Sequence, residues 1–170
     1  MFFDPKKLFE KAQTSKNHLK LLNFGLFRMI PFNKPHGIKI QSIKEKEVTT
    51  ILPYKRSNFN HIKGMHACAL ATLSEFTTGL VLLNNLDAGQ YRIIMQRLEM
   101  NYHYQGKMNV ISTFQVTDEW LSKHVIIPLQ DQAAVLINCE IKTHDIDGNH
   151  ISTGNVFWQV KEWKKVKTKA

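Results

Sequence analysis

Between Asn58 and Asn85 the chain reads NFNHIKGMHACALATLSEFTTGLVLLNN, and the residues after Gly64 have the composition of one long helix in which Glu75 alone carries a full charge at neutral pH. An ionised carboxylate buried without a partner costs several kcal/mol unless its pKa rises, so a solitary Glu in an apolar helix constrains what can pack around it. At about 100° per residue, Leu70, Leu73, Thr77, Leu80 and Val81 share one bulky face. Glu75 points the other way, among Cys68, Ala71, Thr72, Thr78 and Gly79. Small side chains around a carboxylate admit a second helix or a ligand, although a Glu exposed at the rim of a half-buried helix satisfies the same pattern.

The flanking segments say what this helix must pack against. Residues 5–30 place Leu8, Ala12, Leu19, Leu22, Leu26 and Ile30 at spacings near three, four and seven, which predicts one N-terminal helix lying on the domain. A basic amphipathic helix can also lie on a membrane surface, but this one runs directly into Pro31 and a strand. From Gly37 to Tyr54 the period becomes two, giving two strands about the KEKE turn at 44–47. Gln90–Gln105 reads as a long strand with Asn109–Val116 as its hairpin partner, and DEWLSKH as one helical turn. Ala133–His144 is a further strand, and Asp147, Gly148 and Asn149 form a hairpin turn into the last one, which ends near Trp163. Helix, two strands, helix and four strands predict an α+β chain: a curved antiparallel sheet of about six strands wrapped around a central helix at about 65–85, in a single domain over 1–170.

The whole composition narrows the function classes. With 170 residues, 43% of them hydrophobic, the chain can bury a sizeable core. Cys68 and Cys139 have no framework spacing and the first residues lack an apolar signal core, so a cytoplasmic location is expected. No run approaches the roughly 20 apolar residues that cross a bilayer, so no membrane insertion is expected. The net charge of +9 favours anionic partners, but much of it lies in the terminal runs PKKLFEK and KEWKKVKTKA, expected as solvated tails. No helix-turn-helix, zinc-finger or aromatic RNA-binding pattern is present, so nucleic acid is not an expected partner. His61 and His66 lack helix-adjacent metal spacing, Cys68 and His66 diverge on a helix, and Ser74 has no GxSxG elbow. No metal and no cofactor are expected.

Asn60, His66 six residues later and Glu75 nine after that, opening a helix of the type HAxALxxLxE, resemble the signature segment of hotdog-fold acyl-CoA thioesterases. The similarity is strongest to phenylacetyl-CoA thioesterase-like enzymes and to a sister group whose segment reads roughly NHxGxxHAGALxxLAE. The upstream IPFN and the downstream strand pattern extend it over most of the chain. This resemblance implies a hotdog fold, a homodimer or dimer of dimers with its active site at the subunit interface, and hydrolysis of an acyl-CoA or related acyl thioester. It implies that the Ala67 amide polarises the thioester carbonyl, that Glu75 is the base or nucleophile, that His66 is the motif histidine and that Asn60 orients water or substrate. Gly64 and Met65 would lie against the substrate, with Lys55, Arg56 and Lys63 at the rim to meet coenzyme A phosphates. The chain departs from the pattern where the family's glycine three residues before the histidine is Lys63, with Gly64 shifted by one, and where the glycine pair after it is Ala67 and Cys68. Alanine keeps its amide but its methyl narrows the approach, which leaves a non-catalytic hotdog protein binding an acyl chain or acyl-CoA as the alternative.

Overall fold

The computed structural model describes residues 5–166. Two N-terminal helices, α1 (Pro5–Thr14) and α2 (Lys16–Met29), precede the strands β1 (Lys39–Lys44) and β2 (Glu47–Leu52) and the central helix α3 (Ala67–Asn85). Then follow β3 (Tyr91–Tyr102), β4 (Val110–Gln115), a short helical segment made of α4 (Asp118–Leu121), a π-helical turn (Ser122–Ile126) and α5 (Ile127–Asp131), and the hairpin β5 (Val135–Asp145) and β6 (His150–Glu162). The six strands form one antiparallel sheet in the order β1-β2-β4-β5-β6-β3, wrapped around α3. This is the hotdog fold.

The bulky stripe of α3 is where the sheet is filled. Leu70, Leu73, Thr77, Leu80 and Val81 are all buried, and α3 packs across β2 to β6. The polar members of the stripe are paired: the Thr50 and Thr77 hydroxyls lie 2.6 Å apart, and the Thr77 hydroxyl also donates to the Leu73 carbonyl. On the flank, the small residues have a use within the chain. The indole of Trp158 on β6 lies so close to Gly79 that a Cβ there would sit 3.0 Å from two ring carbons, and its Nε1 donates to the Thr78 hydroxyl at 3.0 Å. α3 is long and apolar enough to cross a bilayer, contrary to the expectation from runs of apolar residues, but most of it is enclosed by the sheet and by α2.

Several expectations are corrected. The single helix over 5–30 is two, because Ser15 leaves helical geometry and caps α2, accepting the His18 amide. α3 starts at Ala67, two residues inside the expected boundary. β4 is not the hairpin partner of β3: β3 pairs with β6 at the sheet edge, and β4 sits between β2 and β5. Hairpin geometry was read from a nearby turn, but the pairing is decided by which strands cover α3. The DEWLSKH turn extends to Asp131, with Pro128, which has no amide to donate, just after the π-helical turn. The C-terminal basic run is not simply a solvated tail, since the Lys165 ammonium donates to the Leu129 carbonyl at 2.9 Å and pairs with Glu162 at 3.0 Å; its residues 167–170 lie outside the described ones.

The sheet's two edges differ. At β1, the Asn23 side chain of α2 donates to the Ile40 carbonyl at 3.0 Å and accepts the Ile40 amide at 2.8 Å, standing in for a neighbouring strand. At the other edge β3 has no fully buried residue, and Ile94 and Met95 are 47% and 39% exposed. A long, uncovered edge strand is a template for pairing with another chain.

Gly79→Val is expected to lower stability by about 1–3 kcal/mol, since its branched side chain must displace Trp158. Chemical denaturation of the variant beside wild type checks this.

Candidate active site at the start of the central helix

The loop before α3 is suspended from one buried asparagine. Asn58 is almost fully buried; its Nδ2 donates to the carbonyls of His36 and Pro53, both at 2.9 Å, and its Oδ1 lies 3.0 Å from His36 Nδ1. Its own carbonyl accepts the His66 amide at 2.8 Å, so the anchor ends where the helix begins. Within the loop, Asn60 Oδ1 accepts the amides of Ile62 (3.1 Å) and Gly64 (2.8 Å), while the Asn60 amide donates to the Gly64 carbonyl. The result is a tight turn with Lys63 at φ 58°. This is the left-handed region that glycine favours, and here a lysine holds it. Gly64 serves a different end: a Cβ there would lie 2.9 Å from the Gln105 side chain.

His66 is the N-cap of α3. Its Nδ1 accepts the Cys68 amide at 3.1 Å, which places any proton of the neutral ring on Nε2. The Ala67 amide, at the first helical position, has no acceptor among the described residues and shares the positive end of the helix dipole. It opens onto a cavity of about 410 Å³ lined by Asn60, Met65, Leu70, Tyr102, Tyr104 and Gly106, among others. The Tyr102 hydroxyl donates to the Ala67 carbonyl at 3.0 Å, tying the end of β3 to the start of α3. An oxyanion or polarised carbonyl could take a bond from Ala67 here, with the unpaired Nδ2 of Asn60 as a second donor.

Glu75 is not in this cavity. Eight residues along α3 put it about 12 Å away along the axis. It is half-buried in a second hollow of about 260 Å³ whose other walls include Met29, Ile30, Gly79, Ile93 and Trp158. Burial pushes its carboxyl above the usual carboxylate range. No ion pair or side-chain hydrogen bond to this carboxyl occurs among the described residues.

Of the residues singled out in the sequence, the structure therefore brings Asn60, Met65 and Ala67 to one cavity, leaves Gly64 and His66 beside them in the chain without lining it, and sets Glu75 apart. Lys55, Arg56 and Lys63 surround the loop without lining the cavity. The sequence reading missed Asn58 and Tyr102. Asn58 is an ordinary polar loop residue until His36 and Pro53 are seen to converge on it. Tyr102 carried only the signal of strand alternation.

The family model described as "Domain of unknown function (DUF4442)" matches residues 19–163. No curated protein matches the chain. Among solved structures, the chain is similar to a Pseudomonas aeruginosa protein of unknown function described as a probable thioesterase, with TM-score 0.77, 19% identity, and coverage of 84% of this chain and 95% of that one. A second Pseudomonas aeruginosa protein, a mutant thioesterase, matches with TM-score 0.68 and 14% identity over 89% of this chain and 99% of that one. A thioesterase from Haemophilus influenzae matches with TM-score 0.67 and 12% identity over 89% and 94%. At these identities the likeness establishes the fold.

Replacing Lys63 tests the loop geometry. Lys63→Gly is expected to keep or raise the melting temperature, whereas Lys63→Val, which resists the left-handed region, is expected to cost about 1–2 kcal/mol. Equal stability of the two variants would contradict the strained turn.

Proposed function

This chain belongs to the DUF4442 family, and we propose that it is a thioesterase that hydrolyses an acyl-CoA or a related acyl thioester at sites shared between two copies. The observation that carries this reading is the spacing on α3: an unpaired helix-start amide and a half-buried carboxylate, the two groups thioester hydrolysis needs, sit about 12 Å apart. One carbonyl cannot reach both within a copy. A second copy running antiparallel beside the first would bring its Glu75 to the first copy's Ala67, and the uncovered β3 edge supplies the surface on which the copies pair.

In this scheme the thioester carbonyl oxygen accepts from the Ala67 amide, with Asn60 Nδ2 holding water or substrate. Glu75 of the other copy takes a proton from water as the oxygen adds to the carbonyl carbon. The C–S bond then breaks, the thiolate takes back the proton held by Glu75 and leaves as the thiol, and the acid is released with Glu75 again a carboxylate. Burial suits Glu75 to this work, because a carboxylate with a raised pKa is a stronger base near neutrality. Lys55, Arg56 and Lys63, grouped on the loop outside the cavity, would meet coenzyme A phosphates; a raised KM in Arg56→Ala and Lys63→Ala, and weaker binding in high salt, are the expected results. The family resemblance of the motif and the thioesterase descriptions of the structural neighbours support the same reading.

Glu75→Gln is expected to lower turnover about a hundredfold to ten-thousandfold in a steady-state assay over an acyl-CoA panel. Its stability should move the other way. A carboxyl with a raised folded pKa disfavours the folded state once pH exceeds its unfolded value, so above that pH Glu75→Gln should melt at or above the wild-type temperature. For the same reason wild-type activity should fall as pH drops through the raised Glu75 pKa, an acid limb that lies above the ordinary carboxylate range. Retained turnover with a lowered melting temperature would make Glu75 scaffold, and ligand binding without turnover in wild type would favour a non-catalytic acyl-binding protein.

Light scattering at micromolar concentration is expected to give a dimer or a dimer of dimers. A stable folded monomer would remove the shared site.

A further inference from the structure

The hollow at Glu75 does not end there. It shares Leu26, Met29, Leu80 and Leu83 with a second, larger cavity of about 410 Å³ that continues between α1, α2 and the C-terminal half of α3, past Leu22 and Phe9 to Asp87 and Ala88. The four shared walls make the two hollows neighbours between the N-terminal helices and α3, and the channel meant here is the two taken together. Its walls are almost wholly aliphatic and aromatic; charged residues stand only at its ends, Glu75 at one and Lys6 with Asp87 at the other.

We propose that this channel is the acyl-tail site, and that it selects unbranched chains of about twelve carbons, with α1 and α2 as the elements that set the length. The proposal rests on the thioesterase reading for its polarity, with the thioester at Glu75 and the tail toward Ala88. From Glu75 to Leu86, the C-cap of α3, the chain advances eleven residues, about 16 Å, and an extended hydrocarbon advancing about 1.3 Å per carbon covers that distance with about twelve carbons. The walls offer almost no polar group along this path, which suits an aliphatic chain and penalises a hydroxylated or charged one. The head is a thioester rather than a free acid, because a free carboxylate would meet the Glu75 carboxylate at close range, whereas a thioester is neutral.

The test is calorimetric binding of S-alkyl-coenzyme A thioethers, which cannot be hydrolysed, with chains from four to sixteen carbons, to the full-length protein. Affinity is expected to rise about two- to fourfold per carbon and to level off near twelve. Leu83→Trp and Met29→Trp each fill the channel from a position that is already partly exposed, and each should reduce the ratio of dodecyl to butyl affinity at least tenfold. Dodecanoate should bind at least tenfold more weakly than S-dodecyl-coenzyme A. A flat chain-length profile, unchanged ratios in both folded variants, or equal binding of dodecanoate would overturn the proposal. So would loss of the dimer in Leu83→Trp with an unaltered profile, which would make the channel a subunit contact. Chain-length-dependent binding without hydrolysis of any acyl-CoA by wild type would sustain the channel while refuting the thioesterase reading, so the two fail separately.

Discussion

Burying Leu70, Leu73, Thr77, Leu80 and Val81 against the inner face of the sheet fixes the rotation of α3 about its axis, and the rest of the molecule follows from that rotation. Glu75 is turned away from the sheet into the space that α2 and Trp158 leave beside the helix. The cost of desolvating it there is not offset by a partner among the described residues, and its pKa rises as a result. Glu75 carries that cost within the fold, and Gln in its place would relieve it.

The first residue of α3, Ala67, lines a cavity, and the preceding loop keeps it there. Asn58 ties the loop to His36 and Pro53, Asn60 closes the turn, His66 occupies the next free amide and Tyr102 holds the Ala67 carbonyl. Beside these contacts, the Ala67 amide and the Asn60 Nδ2 have no hydrogen-bond partner among the described residues. The edges of the sheet divide in a similar way, with β1 closed by Asn23 and β3 open. The proposed pairing of two copies rests on this open edge and on the distance between Ala67 and Glu75.

The central helix, its bulky face and the Asn60–His66–Glu75 segment were legible because each is local: helical periodicity and a motif of fixed spacing survive without knowledge of the fold. What escaped was decided by distant partners. The pairing of β3 with β6 instead of β4 depends on how six strands share one helix, which no turn signal between Tyr102 and Val110 reveals. The break at Ser15 was hidden by a hydrophobic spacing that continues across it, and only the capping hydroxyl marks it. Small residues near Glu75 suggested an incoming helix or ligand, and at Gly79 the visitor is Trp158 of the same chain. Lys63 illustrates the converse: the residue type gives no sign of it, yet the backbone adopts the conformation that glycine would favour.

A site divided between copies has a direct test in mixing two inactive variants. Glu75→Gln removes the proposed base. Ala67→Pro lacks the amide, yet proline is tolerated at a first helical position, and His66 at φ −69° and ψ 136° already has the extended geometry that precedes proline. Each variant alone should be inactive. Unfolded together, refolded and assayed, an equal mixture should recover about a quarter of wild-type activity, since half of the random dimers would contain one intact site of two. No recovery, with mixed dimers confirmed by mass, would place both groups' work within a single copy and contradict the account.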